Sequence, residues 1–120
     1  MALQNITLPG QLGASFAEQT VTNATASVIT GSASTVYTVE IDNSANNSAV
    51  VYVKLYNDGA PTVGTTDPWC ILRAPAGAKT TYHTNGMTFG AALAMACTTE
   101  AGTAGTTSPS GAVGVRVVYT

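Results

Sequence analysis

His83 is the only histidine of the chain, so any scheme in which an imidazole activates a nucleophile must run through it. A triad would need a serine and a carboxylate converging on that ring. Asp58 and Asp67 lie in turn-rich segments from which a carboxylate can approach, but the chain contains no Gly-x-Ser-x-Gly elbow. The acids are Glu18, Glu40, Asp42, Asp58, Asp67 and Glu100, and only Glu40 and Asp42 are close in sequence. Two residues apart, they share one strand face, which suits a cation better than the opposed acid and base of a glycosidase. Solvated strand-end charges are the plainer expectation for both. Cys70 and Cys97 lack the Cys-x-x-Cys spacing of a zinc or redox site. Two readings are open for them: small buried side chains on neighbouring strands, or a disulfide formed after release from the cell. No glycine-rich loop leads into a helix, as phosphate cradles require. These residues point to no catalytic group, metal or cofactor, and the chain is expected not to be an enzyme.

Aromatic side chains offer a different chemistry. Trp69 with Tyr37, Tyr52, Tyr56, Tyr82 and Tyr119 can stack on sugar rings or anchor a protein interface, where Tyr and Trp are enriched. Tyr37 falls in phase with Val39 and Ile41, and Tyr119 with Val117, which assigns both to a core. Tyr52 and Tyr56 fall opposite the apolar phase of their segment and are expected on the exposed side.

The elements that must position these groups are short strands. Residues 35–41 alternate Tyr37, Val39, Ile41 with Thr38, Glu40, and residues 50–56 alternate Val51, Val53, Leu55 with Tyr52, Lys54, Tyr56. Turn formers at 42–48 and 57–59 separate them. Residues 69–73 and 79–83 read as further strands, with Pro75-Ala76-Gly77 between them and an Asn85-Gly86 turn after them. Residues 87–97 are assigned to a buried strand, since Leu93, Met95 and Cys97 alternate with alanines. Residues 98–111 consist almost wholly of Thr, Ser, Gly, Ala and Pro and are expected to form the longest exposed loop. Val113, Val115, Val117 and Tyr119 mark a final strand. The chain is expected to be all-β, an antiparallel β-sandwich of jelly-roll or immunoglobulin-like type over residues 19–120. Residues 1–18 carry Leu3, Ile6, Leu8, Leu12 and Phe16 among glycines and a proline and read as an extended N-terminal arm. Such an arm pairs along its own sheet edge or reaches onto a neighbour.

The 120 residues include four basic and six acidic side chains, 8% of the chain against about a quarter in an average domain. Thr, Ser and Asn replace the missing charge, so the surface is neutral, polar and weakly self-repelling. Lys54, Arg73, Lys79 and Arg116 are scattered singly, which argues against direct nucleic-acid binding. No apolar run approaches the roughly 20 residues of a membrane span. The N-terminus shows no basic and apolar signal pattern, so synthesis in the cytoplasm is expected.

Several segments together carry a resemblance. Tyr52-Val53-Lys54-Leu55-Tyr56-Asn57, then Ala60-Pro61-Thr62-Val63-Gly64-Thr65-Thr66-Asp67-Pro68, then Ala74-Pro75-Ala76-Gly77 and Gly86-Met87-Thr88-Phe89 resemble, in order and spacing, small β-sandwich virion proteins of tailed bacteriophages. The resemblance covers residues 50–119. It implies a structural protein of the virion, similar to capsid decoration (cement) proteins that bind the head exterior and bridge capsomers. The implied partners are the major capsid protein and neighbouring copies of the chain, as a homo-oligomer on the shell. Leu3, Ile6, Leu8, Leu12, Phe16, Tyr52 and Tyr56 are the candidate interface residues. A tail, neck or baseplate component is the alternative within that class, and a carbohydrate-binding surface protein the alternative outside it.

Overall fold

The structure, a computed structural model, describes the backbone of Gln4–Thr7 and Ser15–Val21 and the whole of residues 25–120. The alternating segments form strands in the order β1 (Gln4–Thr7), β2 (Ser15–Val21), β3 (Ser27–Thr30), β4 (Ser34–Asp42), β5 (Val51–Tyr56), β6 (Cys70–Ala74), β7 (Lys79–Phe89), β8 (Leu93–Thr98) and β9 (Val113–Tyr119). They make two antiparallel sheets, one five-stranded in the order β1-β2-β9-β4-β7 and one four-stranded in the order β3-β8-β5-β6. Both sheets turn their apolar phase onto one core. Val36, Val39, Ile41, Val113, Val115 and Val117 come from the first, Val51, Val53, Leu55, Leu93 and Met95 from the second. Tyr119 joins the core as its phase predicts.

Tyr37 does not. The pairing of β4 with β9 runs Val36↔Tyr119 and then Thr38↔Val118, so Tyr37 is an extra residue of β4 and the alternation of β4 changes phase there. On the other side, three residues of β7 lie between the partners of Val36 and Thr38. Val36 takes the core position and Tyr37 is only half-buried. Opposite this irregularity lie Asn85-Gly86, both in the left-handed region with φ of 55° and 96°. These residues, read as a hairpin turn, instead form a bulge inside the eleven-residue β7. The Thr84 hydroxyl fills the gap by donating to Val36 O.

The 87–97 segment also divides. Met87–Phe89 ends β7, and β8 begins at Leu93 after a turn in which Asn57 Oδ1 accepts from the N–H of Ala91 at 2.8 Å. Every residue of β8 is buried, because loops cover its outer side as well as the core its inner side. Cys70 and Cys97 both contact the core, yet β5 lies between their strands, with Cys70 opposite Leu55 and Cys97 opposite Val53. Two strand spacings, about 9.5 Å, exceed the reach of a disulfide. Both cysteines are free, and the expectation of neighbouring strands is corrected to strands two apart.

Residues 98–111, expected as an exposed loop, lie partly fastened to the outer face of the four-stranded sheet. One end is held by asparagines. Asn46 Oδ1 accepts from Gly111 N at 2.7 Å, and Asn46 Nδ2 donates to Asn43 Oδ1 at 2.8 Å. Asn43 Nδ2 donates in turn to Ala49 O and Pro75 O, each at 3.0 Å. Both side chains are buried, so their loss leaves main-chain groups unpaired. Asn46→Ala is expected to lower the unfolding free energy by about 2 kcal/mol, read from urea denaturation; an unchanged midpoint would mean that water replaces these bonds.

β1 and β2 pair with one another and β2 with β9, so the described part of the N-terminal segment runs along the edge of its own sheet. The 18/19 boundary of the expected arm falls inside β2.

Candidate functional site

Of the groups that suggested chemistry, Glu40, Asp42 and His83 lie on the outer face of the five-stranded sheet, in rows set by register. Lys79, Asp42 and Gly114 form one row, Thr81, Glu40 and Arg116 the next, and His83, Thr38 and Val118 the third. Across β2, the register partner of Arg116 is Glu18. Acids and bases are thus interleaved around a groove of about 360 Å³ lined by Glu40, Asp42, Ser44, Lys79 and Arg116. Asp42 is held below the usual carboxylate range, first by hydrogen bonds from the Ser44 side chain and N–H, then by Lys79 and Arg116. A glycosidase acid needs the opposite shift. Lys79 Nζ stands 3.8 Å from Asp42 Oδ2, so the pair Glu40 and Asp42 faces neighbouring bases. Among the described residues no three His, Cys, Asp or Glu side chains converge. His83 is exposed on edge strand β7 opposite Thr38, which is neither its serine nor its carboxylate. Asp58 caps a turn, its Oδ1 accepting from Ala60 N at 2.7 Å.

The four-stranded sheet presents a different outer face. Its centre is covered by the chain's own loops. Lys54, expected on the solvent side of β5, is fully buried, and its ammonium donates to Gly102 O at 2.7 Å and Gly105 O at 3.0 Å. Tyr56, a candidate interface residue, is fully buried too, packed among Ala94, Ala96, Ala26 and Val63. The expectation that Tyr56 is exposed is therefore corrected: the 57–69 loop carries Val63 back over it. Its hydroxyl is buried without a hydrogen-bond partner, and burial pushes its pKa up.

At the sheet's edges the cover ends. The large apolar side chains left exposed among the described residues are Val28 on β3, at 41%, and Trp69 and Ile71 at β6, at 59% and 38%. Cys70, Leu72 and Ala74 of the same segment turn inward, while Trp69, Ile71 and Arg73 alternate outward. Tyr52 is the register partner of Arg73 on the covered side and is half-buried beside it. Together Trp69, Ile71, Arg73 and Tyr52 make a strip along the edge strand β6, which pairs with β5 on one side and has no strand on the other. Trp69 and Tyr52 stand at opposite ends of the strip, so they do not make a continuous aromatic shelf with Tyr56. Sequence reasoning had placed Tyr52 here but overlooked Ile71. Arg73, in phase with Ile71 and Trp69, is the signal that marks this phase as the outward one.

Of the remaining candidate interface residues, Leu3, Leu8 and Leu12 lie outside the described residues. Ile6 and Phe16 are register partners between β1 and β2.

An all-β chain of two antiparallel sheets, with one interleaved polar face and one open apolar strand edge, is the class that fold and site define. Comparison with protein-family models, with curated proteins and with solved structures finds no match.

Proposed function

We propose that the chain is a structural, non-catalytic protein of a bacteriophage virion, a jelly-roll or immunoglobulin-like sandwich of the capsid decoration type that docks on the head exterior and bridges capsomers. The observation that carries this reading is the β6 strip, where Trp69 and Ile71 stand exposed on an open strand edge. Exposed apolar side chains on a strand edge are otherwise an aggregation hazard, and a docking partner accounts for them. The surface around them supports the same role. With four basic and six acidic residues in the chain, contact with a shell desolvates few charges. Many copies on a lattice then add modest affinities through multivalency. The segmental resemblance to virion β-sandwich proteins supplies the particular partner, the major capsid protein.

The test is to incubate purified protein with expanded phage heads lacking it, sediment them, and count bound copies by quantitative mass spectrometry. Saturation at a number commensurate with the capsid lattice is expected, with affinity reduced roughly tenfold by Trp69→Ala, as for a central aromatic anchor. A handful of copies per particle would reassign the protein to tail, neck or baseplate. No binding to heads, together with glycan-array binding lost in Trp69→Ala, would overturn the reading in favour of carbohydrate recognition.

A further inference from the structure

The edge strands of the two sheets are not equally defended against pairing. β3 is four residues long and its register is broken between Val28 and Thr30. β7 carries Lys79 at its start and the Asn85-Gly86 bulge near its end. Short length, charge and bulges are the usual devices that keep an edge from adding a strand. β6 is also short, at five residues, carries Arg73 and is delimited by Pro68 and Pro75, but from Cys70 to Leu72 it holds neither a charge nor a break in its register with β5.

The outward residues of β6 are also complementary to themselves. Read antiparallel about Ile71, the segment sets Ile71 beside Ile71 of a second copy and Trp69 beside Arg73, twice over. All three side chains are solvent-exposed in the single chain. An indole face beside a guanidinium is a favourable cation–π pair, and the isoleucines bury each other between the two such pairs. No like charges meet in this register. The Tyr82 hydroxyl donates to Arg73 O and Trp69 N donates inward to Leu55 O at 2.7 Å, so the contact between residues 69 and 73 is one of side chains.

We propose that β6 is a self-pairing edge, at which a second copy of this chain adds its own β6 antiparallel about a twofold axis at Ile71. The inference rests on reading the strip as a protein-docking surface and makes a second copy its occupant in the free protein, in competition with the shell for the same edge. The pair joins two four-stranded sheets into one of double width, an isologous contact that closes on itself and does not propagate into fibres. Two strands this short bury less than the roughly 800 Å² per partner of a stable interface. The free dimer is therefore weak, with a dissociation constant between about 10 µM and 1 mM.

Sedimentation equilibrium on the full chain tests this, with Ile71→Lys and Ile71→Glu measured alone and mixed. The unaltered chain is expected to show a reversible monomer–dimer equilibrium. Each variant alone is expected to weaken it roughly tenfold or more, because like charges then face each other across the axis. The equimolar mixture is expected to restore a heterodimer, since residue 71 faces residue 71. Far-UV circular dichroism confirms that each variant is folded, and Arg73→Glu, at a second exposed side chain, is expected to weaken the dimer independently. A chain that stays monomeric at roughly 1 mM, a dimer indifferent to these variants, or a mixture that stays monomeric would each overturn the self-pairing. Head binding measured on the same proteins separates the two claims: Trp69-dependent binding without dimers leaves the docking reading intact, whereas dimers without head binding remove the virion assignment alone.

Discussion

Lys54→Ala is expected to lower the unfolding free energy by about 3 kcal/mol and to open residues 99–111 to proteolysis. The side chain is fully buried although it points away from the core. Its stem is covered by the loop, and its ammonium makes two charge-assisted bonds, to Gly102 O and Gly105 O. Glu100 closes the same loop from within, its carboxylate accepting from Thr107 N at 3.1 Å and from the Thr107 hydroxyl. Thr99 N adds a main-chain bond to Thr107 O at 3.0 Å. Truncating Lys54 removes both the stem and the only cation that these carbonyls share. Lys54→Met keeps most of the stem and is expected to cost about 1 kcal/mol, because the ammonium's own desolvation offsets part of its bond energy. Urea denaturation with limited proteolysis checks both; equal effects of Ala and Met would show that the bonds, and not the packed stem, hold the loop.

Above pH 9 the fold is expected to lose stability steeply, chiefly through Cys97. Burial in the core pushes this thiol from its ordinary 9.0 up to about 12, with Lys54 pulling weakly the other way. Between those values the unfolded chain releases the proton and the folded chain keeps it. The stabilisation is therefore fully present below pH 9 and is lost as pH rises towards about 12, a change of roughly 4 kcal/mol. Burial raises Cys70, Tyr56 and Tyr119 as well, which adds loss of the same sign. Lys54 acts oppositely. Its pKa is lowered from 10.5, first by burial, so the folded state sheds its proton earlier and this group adds stability as pH rises towards 10.5. Cys97→Val, close in volume and without a proton to lose, is expected to reduce the drop between about pH 8 and pH 11 by about 3 kcal/mol. Parallel stability curves for the two proteins would refute the assignment to Cys97.

Alternation of side chains was enough to locate β4, β5, β6 and β9, and to assign Val39, Ile41, Val53 and Leu55 to the core, because a period of two depends only on local backbone geometry. It was not enough for Tyr37. An extra residue in β4 against β9 shifts the phase at Tyr37, and Asn85-Gly86 across from it reads equally as a hairpin turn or as a bulge until the partner is known. Periodicity likewise separates Lys54 and Tyr56 from the core face without saying what covers the other face. Their cover comes from residues distant in sequence, Gly102 and Gly105 over Lys54 and Ala26 over Tyr56. The same limit applies to the strip at β6. Arg73 in phase with Trp69 and Ile71 marks one face of that segment as outward from sequence alone, whereas its place at the edge of the four-stranded sheet follows from the order β3-β8-β5-β6. Local residue types thus determined the strands and the sides they offer. Which sides stay open was decided by strand order and long-range loop packing, because burial is set by contacts between segments far apart in the chain.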